Sequence, residues 1–307
     1  MDSVEEGMTM AVIGFIGLGN MGIGMAANLV KAGHAVRAFD VSEAALSHAA
    51  EVGASRTSSV TEVVTGAAAI ITMLQTGQQV RDVYENEAFA AAPREAILID
   101  CSTIDVATAR AVGELAAGRS LTMVDAPVSG GVAGAIAATL TFMVGGTDKS
   151  FAMAQPILAA MGKTVIHAGP AGSGQAAKIC NNMLLGASMI ATAEAFNLAI
   201  KLGLDPQVFF DISSKASGQC WSMTSYCPVP GPVPAAPSNR NYDGGFMSAL
   251  MLKDLKLAMA ASQATGASVP MGALAESLYQ NFVNLGGAPK DFSAIIKLLD
   301  GSWRTPS

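Results

Sequence analysis

The chain has 307 residues, 51% apolar and 14% charged, with a formal net charge of −6 at pH 7, a length that holds two domains and a large core. An acidic balance without a basic run or an aromatic-basic stripe argues against a nucleic-acid binder. Neither long apolar stretch reads as a membrane span, because Pro127 and several glycines break residues 126–147, and Asn181, Asn182 and Glu194 interrupt the run after Lys178.

The first ten residues, MDSVEEGMTM, resemble neither a signal peptide nor a transit peptide, so a cytoplasmic location is expected. Residues 11–16 predict a short buried strand. Gly17-Leu18-Gly19-Asn20-Met21-Gly22 follows at once, then an apolar helix over 21–32 stopped by Gly33, then a strand over 34–39 that ends on Asp40. This is the strand, glycine loop, helix, strand and acid order of a dinucleotide-binding unit. Gly17 permits the tight turn, Gly19 lets the backbone approach a pyrophosphate, and Gly22 lets the helix pack on its strand. The helix N-terminus offers free N–H groups to the phosphates. Asp40 stands where a carboxylate binds ribose hydroxyls. No arginine lies in Val41-Ser42-Glu43 to meet a 2′-phosphate, so NAD is the expected cofactor.

Beyond Asp40, Ser42 is placed to cap a helix reaching about Val52. Strands are predicted over 69–73, ending at Leu74 and Gln75; over 96–100, followed by Cys101-Ser102-Thr103 and a helix over 106–117; over 121–126, leading into Pro127-Val128-Ser129-Gly130-Gly131; and over 140–144 and 164–167. Strands separated by helices define an α/β fold with a Rossmann-type, doubly wound, mainly parallel sheet. Ligands of such sheets bind beyond the carboxyl ends of the strands, where Leu74, Thr103 and Ser129 fall. The pattern changes after Gly172. Residues 173–202 lack proline, and a helix of about 28 residues would be about 42 Å long. The expected division is a nucleotide-binding domain over 1–172 and an all-helical domain over 173–307, joined by that long helix and carrying an irregular insert over 227–245.

Lys178 and Asn182 are one helical turn apart on one face. At a domain junction such a pair can grip a reacting oxygen. Burial lowers a lysine's affinity for its proton, which suits proton exchange with an alcohol. A solvated helix lysine is the competing reading, disfavoured by the apolar helix around it. Ser129-Gly130-Gly131 offers a hydroxyl and successive N–H groups, either as a cradle for a small carboxylate or as a flexible turn. Trp221 and Tyr226 line an apolar pocket or pack in a core. His34, His48 and His167 read as structural. Cys101, Cys180, Cys220 and Cys227 show no metal-binding or redox spacing and read as free thiols, so no metal is expected.

Four stretches resemble the beta-hydroxyacid dehydrogenase family, most closely its 3-hydroxyisobutyrate branch: GFIGLGNMG (14–22), DAPVSGGVAGA (125–135), GSGQAAKICNN (172–182) and LMLKDLKLA (250–258). SGQCWSMTSYCPVPG (217–231) resembles the hydroxyisobutyrate branch in particular. The resemblance implies NAD-dependent oxidation of a short 3-hydroxy acid by a homo-oligomer, dimer or tetramer, with Lys178 catalytic and Asn182 assisting. It implies that Ser129, Gly130 and Gly131 hold the substrate carboxylate, that Leu74, Gln75 and Thr103 line the nicotinamide side, that Lys253 reaches the cofactor and that Asp254 braces that region. Two residues depart from the pattern: Ala138 replaces a usual glycine, and Gln75 a common proline. The same scaffold serves L-serine oxidation or tartronate semialdehyde reduction. A catalytically silent scaffold, or an imine reductase, would lack the lysine.

Overall fold

The computed structural model describes residues 10–304; the segment expected to carry no leader, 1–9, lies outside the described residues. The chain forms two compact units that part between Lys178 and Ile179. The first is built on one sheet: β1 (Val12–Ile16), β2 (Ala35–Phe39), β3 (Ser55–Arg56), β4 (Ala69–Thr72), β5 (Ile97–Asp100), β6 (Thr122–Asp125), β7 (Val128–Ser129), β8 (Leu140–Gly145) and β9 (Gly162–Gly169). The order is β3-β2-β1-β4-β5-β6-β8-β7, with β9 on β8. The first six strands are parallel, β8 is antiparallel to β6 and β7, and β9 is parallel to β8. The predicted strands are all present within two residues at each end. The pairs β3 and β7, two residues each, are too short to leave a periodic signal.

Helices join the strands: α1 (Gly22–Lys31), α2 (Glu43–Glu51), α3 (Val60–Val64), α4 (Gly77–Val83), α5 (Phe89–Ala91), α6 (Val106–Gly118), α7 (Gly131–Ala137) and α8 (Asp148–Ala159). Their starts are chemically marked. Ser42 accepts from Ala45 N, as expected, and Ser59, Thr76, Asp105 and Thr147 cap α3, α4, α6 and α8 in the same way. The central strands β1, β4 and β5 are almost wholly buried and mainly apolar because both sheet faces are covered there. Ile13, Phe15, Ile71 and Ile99 pack into one cluster, while Ile70 and Leu98, one residue out of phase, pack into another.

Ala138 ends α7 in the left-handed region, at φ 55° and ψ 36°, which explains why glycine is usual there. Relieving the Cβ contact is worth about 1–2 kcal/mol, and the added freedom of the unfolded chain returns about 0.4–1 kcal/mol. Ala138→Gly is therefore expected to stabilise the protein by about 0.5–1 kcal/mol, read as a small rise in denaturation midpoint at constant m-value. An unchanged or lower midpoint would rule out strain at this cap.

The second unit is helical. α9 (Ser173–Lys201) runs into it and is followed by α10 (Pro206–Ser213), α11 (Trp221–Thr224), α12 (Ser248–Thr265), α13 (Pro270–Phe282) and α14 (Ile295–Leu299). Against the expectation that its polar residues rule out a span, α9 holds an 18-residue window of mean hydropathy 1.5, enough by length and composition alone to cross a membrane. Its Met189, Ile190, Ala193 and Phe196 are buried in the core of this unit, with Tyr279, Phe282 and Phe292.

Candidate active site

The glycine loop leaves β1 at Gly17, whose φ of +98° is open to glycine without strain. Gly17 N donates to Phe39 O at 3.0 Å, tying the turn to the end of β2. A Cβ on Gly22 would overlap the Gly17 carbonyl, whereas one on Gly19 would meet no atom within 4 Å. Gly22 is thus needed for packing, and Gly19 keeps a backbone approach clear on the outer side. Asn20 is exposed, Met21 half-buried and Leu18 buried. No side chain caps α1, and although Ile23 N donates to Gly19 O at 3.2 Å, the remaining N–H groups of the first turn are placed for an anion. This arrangement fits a dinucleotide pyrophosphate.

Asp40 has a role the sequence did not disclose. Its Oδ2 accepts from Leu18 N at 2.7 Å and its Oδ1 from Ser42 N at 2.8 Å. The carboxylate braces the glycine loop from below while staying half-buried at the strand end. Each oxygen keeps a second acceptor site for a ribose hydroxyl.

A polar network lies at the ends of β4, β5 and β6. Thr72 Oγ1 donates to Asp100 Oδ1 at 2.8 Å and meets Tyr84 Oη at 3.1 Å. Ser102 N donates to Asp100 Oδ1 at 3.1 Å, and Ser102 Oγ accepts from Leu74 N at 2.8 Å. Burial pushes the Asp100 carboxyl up to about 6, against the lowering by its Ser102 and Thr72 hydrogen bonds. The network sets the backbone of Leu74 and flanks Thr103, both half-buried. Gln75 is exposed, and its N–H donates to Gln79 Oε1 at 3.1 Å. A proline there would remove that donor, so the departure at Gln75 belongs to this chain's own cap for α4. Thr72, Tyr84, Asp100, Ser102, Asp125 and Gln175 were not singled out in the sequence. The available signal was a polar residue ending an apolar strand, at Thr72, Asp100 and Asp125.

Ser129 lies on β7, opposite Thr141 of β8. Gly130 and Gly131 follow with φ of +136° and +62°. Nothing lies within 4 Å of a Cβ built on Gly131. Ser129 is half-buried and Gly130 exposed, so the hydroxyl and the two glycines stand at the surface of the first unit. Lys178 lies in the second turn of α9 and is 6% exposed. The start of α9 is capped from a distance. Asp125 Oδ1 accepts from Gly172 N at 2.7 Å and Oδ2 from Gln175 N at 2.9 Å. Burial raises the Asp125 carboxyl, and these N–H groups counteract it.

In the second unit, Asn182 is buried and its Nδ2 donates to Asp254 Oδ2 at 2.5 Å, while its Oδ1 accepts from Asn181 at 2.9 Å. Asp254 on α12 thus orients the Asn182 amide, and Lys253 beside it is half-buried. Trp221 is half exposed and stacks on Tyr226 at 4.8 Å between centroids. The Tyr226 hydroxyl is committed to Asp291 at 2.8 Å. Asp291, missed in the sequence, also accepts from Phe246 N and Ser293. It anchors the end of the 227–245 insert, leaving Trp221 as the exposed aromatic of the pair.

His34 Nδ1 accepts from Ala11 N at 3.4 Å, and burial lowers its affinity for a proton. His167 stacks on Phe151 and bonds to Gly146 O at 2.8 Å. The four cysteines are free thiols. Among the described residues no cluster of His, Cys, Asp and Glu could hold a metal ion.

A doubly wound sheet with this glycine loop, followed by a helical unit, defines a dehydrogenase of the NAD-binding type. Residues 12–169 match the NAD-binding domain of 6-phosphogluconate dehydrogenase, and residues 172–299 match the model described as NAD-binding of NADP-dependent 3-hydroxyisobutyrate dehydrogenase. A probable 3-hydroxyisobutyrate dehydrogenase of Mycobacterium tuberculosis is 51% identical over 94% of this chain and 98% of its own. The NAD-dependent L-serine dehydrogenase of Pseudomonas aeruginosa is 46% identical over 95% and 98%. The solved structure of Mycobacterium tuberculosis 3-hydroxyisobutyrate dehydrogenase with L-serine superposes with a TM-score of 0.91 at 51% identity, covering 95% of this chain and 99% of that one. The chain belongs to the 3-hydroxyisobutyrate dehydrogenase family.

Proposed function

We propose that this protein oxidises a short 3-hydroxy acid, 3-hydroxyisobutyrate to methylmalonate semialdehyde in the first instance, with NAD in preference to NADP. The observation that carries the reading is Lys178: a lysine only 6% exposed, on a helix whose start is held by a buried carboxylate. When bound, NAD supplies the nicotinamide carbon that accepts hydride from the carbinol. Lys178 takes the hydroxyl proton and stabilises charge growing on that oxygen. Asn182, its amide set by Asp254, orients the same oxygen. Ser129 and the Gly130 and Gly131 N–H groups bind the carboxylate. L-serine is the second reading, supported by the names of the Pseudomonas relative and the serine-bound structure, since it presents the same hydroxyl and carboxylate. Initial rates with 3-hydroxyisobutyrate, L-serine, 3-hydroxypropionate and tartronate semialdehyde, each with both cofactors, decide among them.

Ser129→Ala tests the carboxylate assignment. A hydrogen bond to a charged group is worth about 1.5–3 kcal/mol, so KM for the hydroxy acid is expected to rise about 10–10²-fold, with little change for its methyl ester. Equal losses on both would remove Ser129 from that role. We also read the protein as a cytoplasmic homo-oligomer. The exposed Leu184, Leu198, Met271 and Leu274 of the second unit support subunit contact, and light scattering measures the mass.

A further inference from the structure

The first turn of α9 is tied to the loop after β5 by one side chain. Gln175 is 0% exposed. Its Nε2 donates to Ser102 O at 2.7 Å and its Oε1 accepts from Ile104 N at 3.1 Å. Its own N–H donates to Asp125 at 2.9 Å. The amide therefore spans Thr103, bonding the residue before it and the residue after it. Ser102 in turn holds Leu74 N and is held by Asp100. Asp100 and Asp125 are register partners on β5 and β6, so one continuous network joins the ends of β4, β5 and β6 to the helix that carries Lys178. Lys178 lies three residues after Gln175, on the same side of that helix.

We propose that Gln175 is a positioning residue for the reaction: its amide clamps the 102–104 loop to α9 and so fixes Lys178 relative to Leu74 and Thr103. The proposal rests on the reading that Lys178 exchanges the substrate proton. The residue type follows from the surroundings. The site needs a donor and an acceptor in one flat group, which an amide provides and a methionine of equal length does not. A glutamate would place a carboxylate oxygen against the Ser102 carbonyl, close to two further buried carboxylates. Cutting the clamp removes two hydrogen bonds and frees the helix turn from the loop. A misplacement of about 1 Å can cost on the order of 10²-fold in rate.

The test is a double-mutant cycle of Gln175→Met and Lys178→Ala in the full-length enzyme, read as kcat, KM and NADH affinity by fluorescence. Gln175→Met is expected to lower kcat about 10–10²-fold, with NADH affinity within about twofold of the parent. In the Lys178→Ala background it is expected to add little further loss, because it acts through that lysine. A full multiplicative loss in the double variant would overturn the proposal. So would an unchanged kcat accompanied only by a lower melting temperature, the mark of a merely structural brace. If Gln175→Met does not fold, Gln175→Asn, which keeps the amide but draws it back by one methylene, enters the same cycle and is judged by the same non-additivity. Near-normal kcat in Lys178→Ala alone would remove the underlying reading of the lysine, a result distinct from additive losses in the cycle.

Discussion

Replacing Lys178 with alanine is expected to lower kcat by about 10²–10⁴-fold, the usual contribution of a positioned proton-transfer group. Lys178 is 6% exposed, and a lysine is rarely buried unless paired or used. Its helix is held at the start by Asp125 and by the Gln175 clamp, neither of which the substitution disturbs. The glycine loop and Asp40 lie far from it in sequence, and Asp40 holds Leu18 N and Ser42 N. NADH affinity should therefore stay near that of the parent protein. Lys178→Met, which keeps most of the side-chain volume, should lose activity to a similar degree. Single-turnover hydride transfer, followed by NADH absorbance, measures the loss directly. Retention of most of the parent kcat by either variant would remove Lys178 from the chemistry.

The second large effect concerns the cofactor. Val41 is 96% exposed beside Asp40, so an arginine there meets no steric barrier. Asp40→Asn with Val41→Arg is expected to move the ratio of kcat/KM values toward NADP by about 10–10²-fold, the worth of one charge-assisted contact to the 2′-phosphate at about 1.5–3 kcal/mol. The structure adds a cost that the sequence alone does not foresee. Asp40 uses both oxygens to hold Leu18 N and Ser42 N, and an asparagine has only one carbonyl oxygen to offer them. Absolute kcat/KM with NAD should therefore fall by more than the loss of a ribose contact alone, through a loosened glycine loop. Asp40→Asn without the arginine isolates that part. A parent protein that uses NADP as well as NAD would show that Asp40 does not discriminate, and the assignment would be withdrawn.

The parts of the fold that were legible share a physical basis. Strands buried on both faces are continuous apolar runs, so β1, β4 and β5 stand out from a polar background. The helix over 173–201 stands out by its composition. The glycine loop was legible because the backbone geometry it needs admits few residue types. Short elements were not: β3 and β7 are defined by pairing with a neighbour, which leaves no periodic trace. The departures at Ala138 and Gln75 were visible as residues, but only backbone angles and the Gln79 cap gave them meaning. Only the structure shows that the Tyr226 hydroxyl is held by Asp291, 65 residues away.

By itself, the sequence determined the alternation of strands and helices, the dinucleotide loop and the place of Lys178 and Asn182 on one helix. These are local properties, encoded by hydrophobic period, by glycines at obligatory turns and by helical spacing. Tertiary structure alone decided which buried polar groups serve one another. Gln175 meets Ser102 across 73 residues, Asp125 meets Gly172 across 47, and Asn182 meets Asp254 across 72. A buried donor or acceptor must find a partner or bear the cost of desolvation. Which partner it finds depends on strand order and on the packing of whole elements, information that no short stretch of sequence contains.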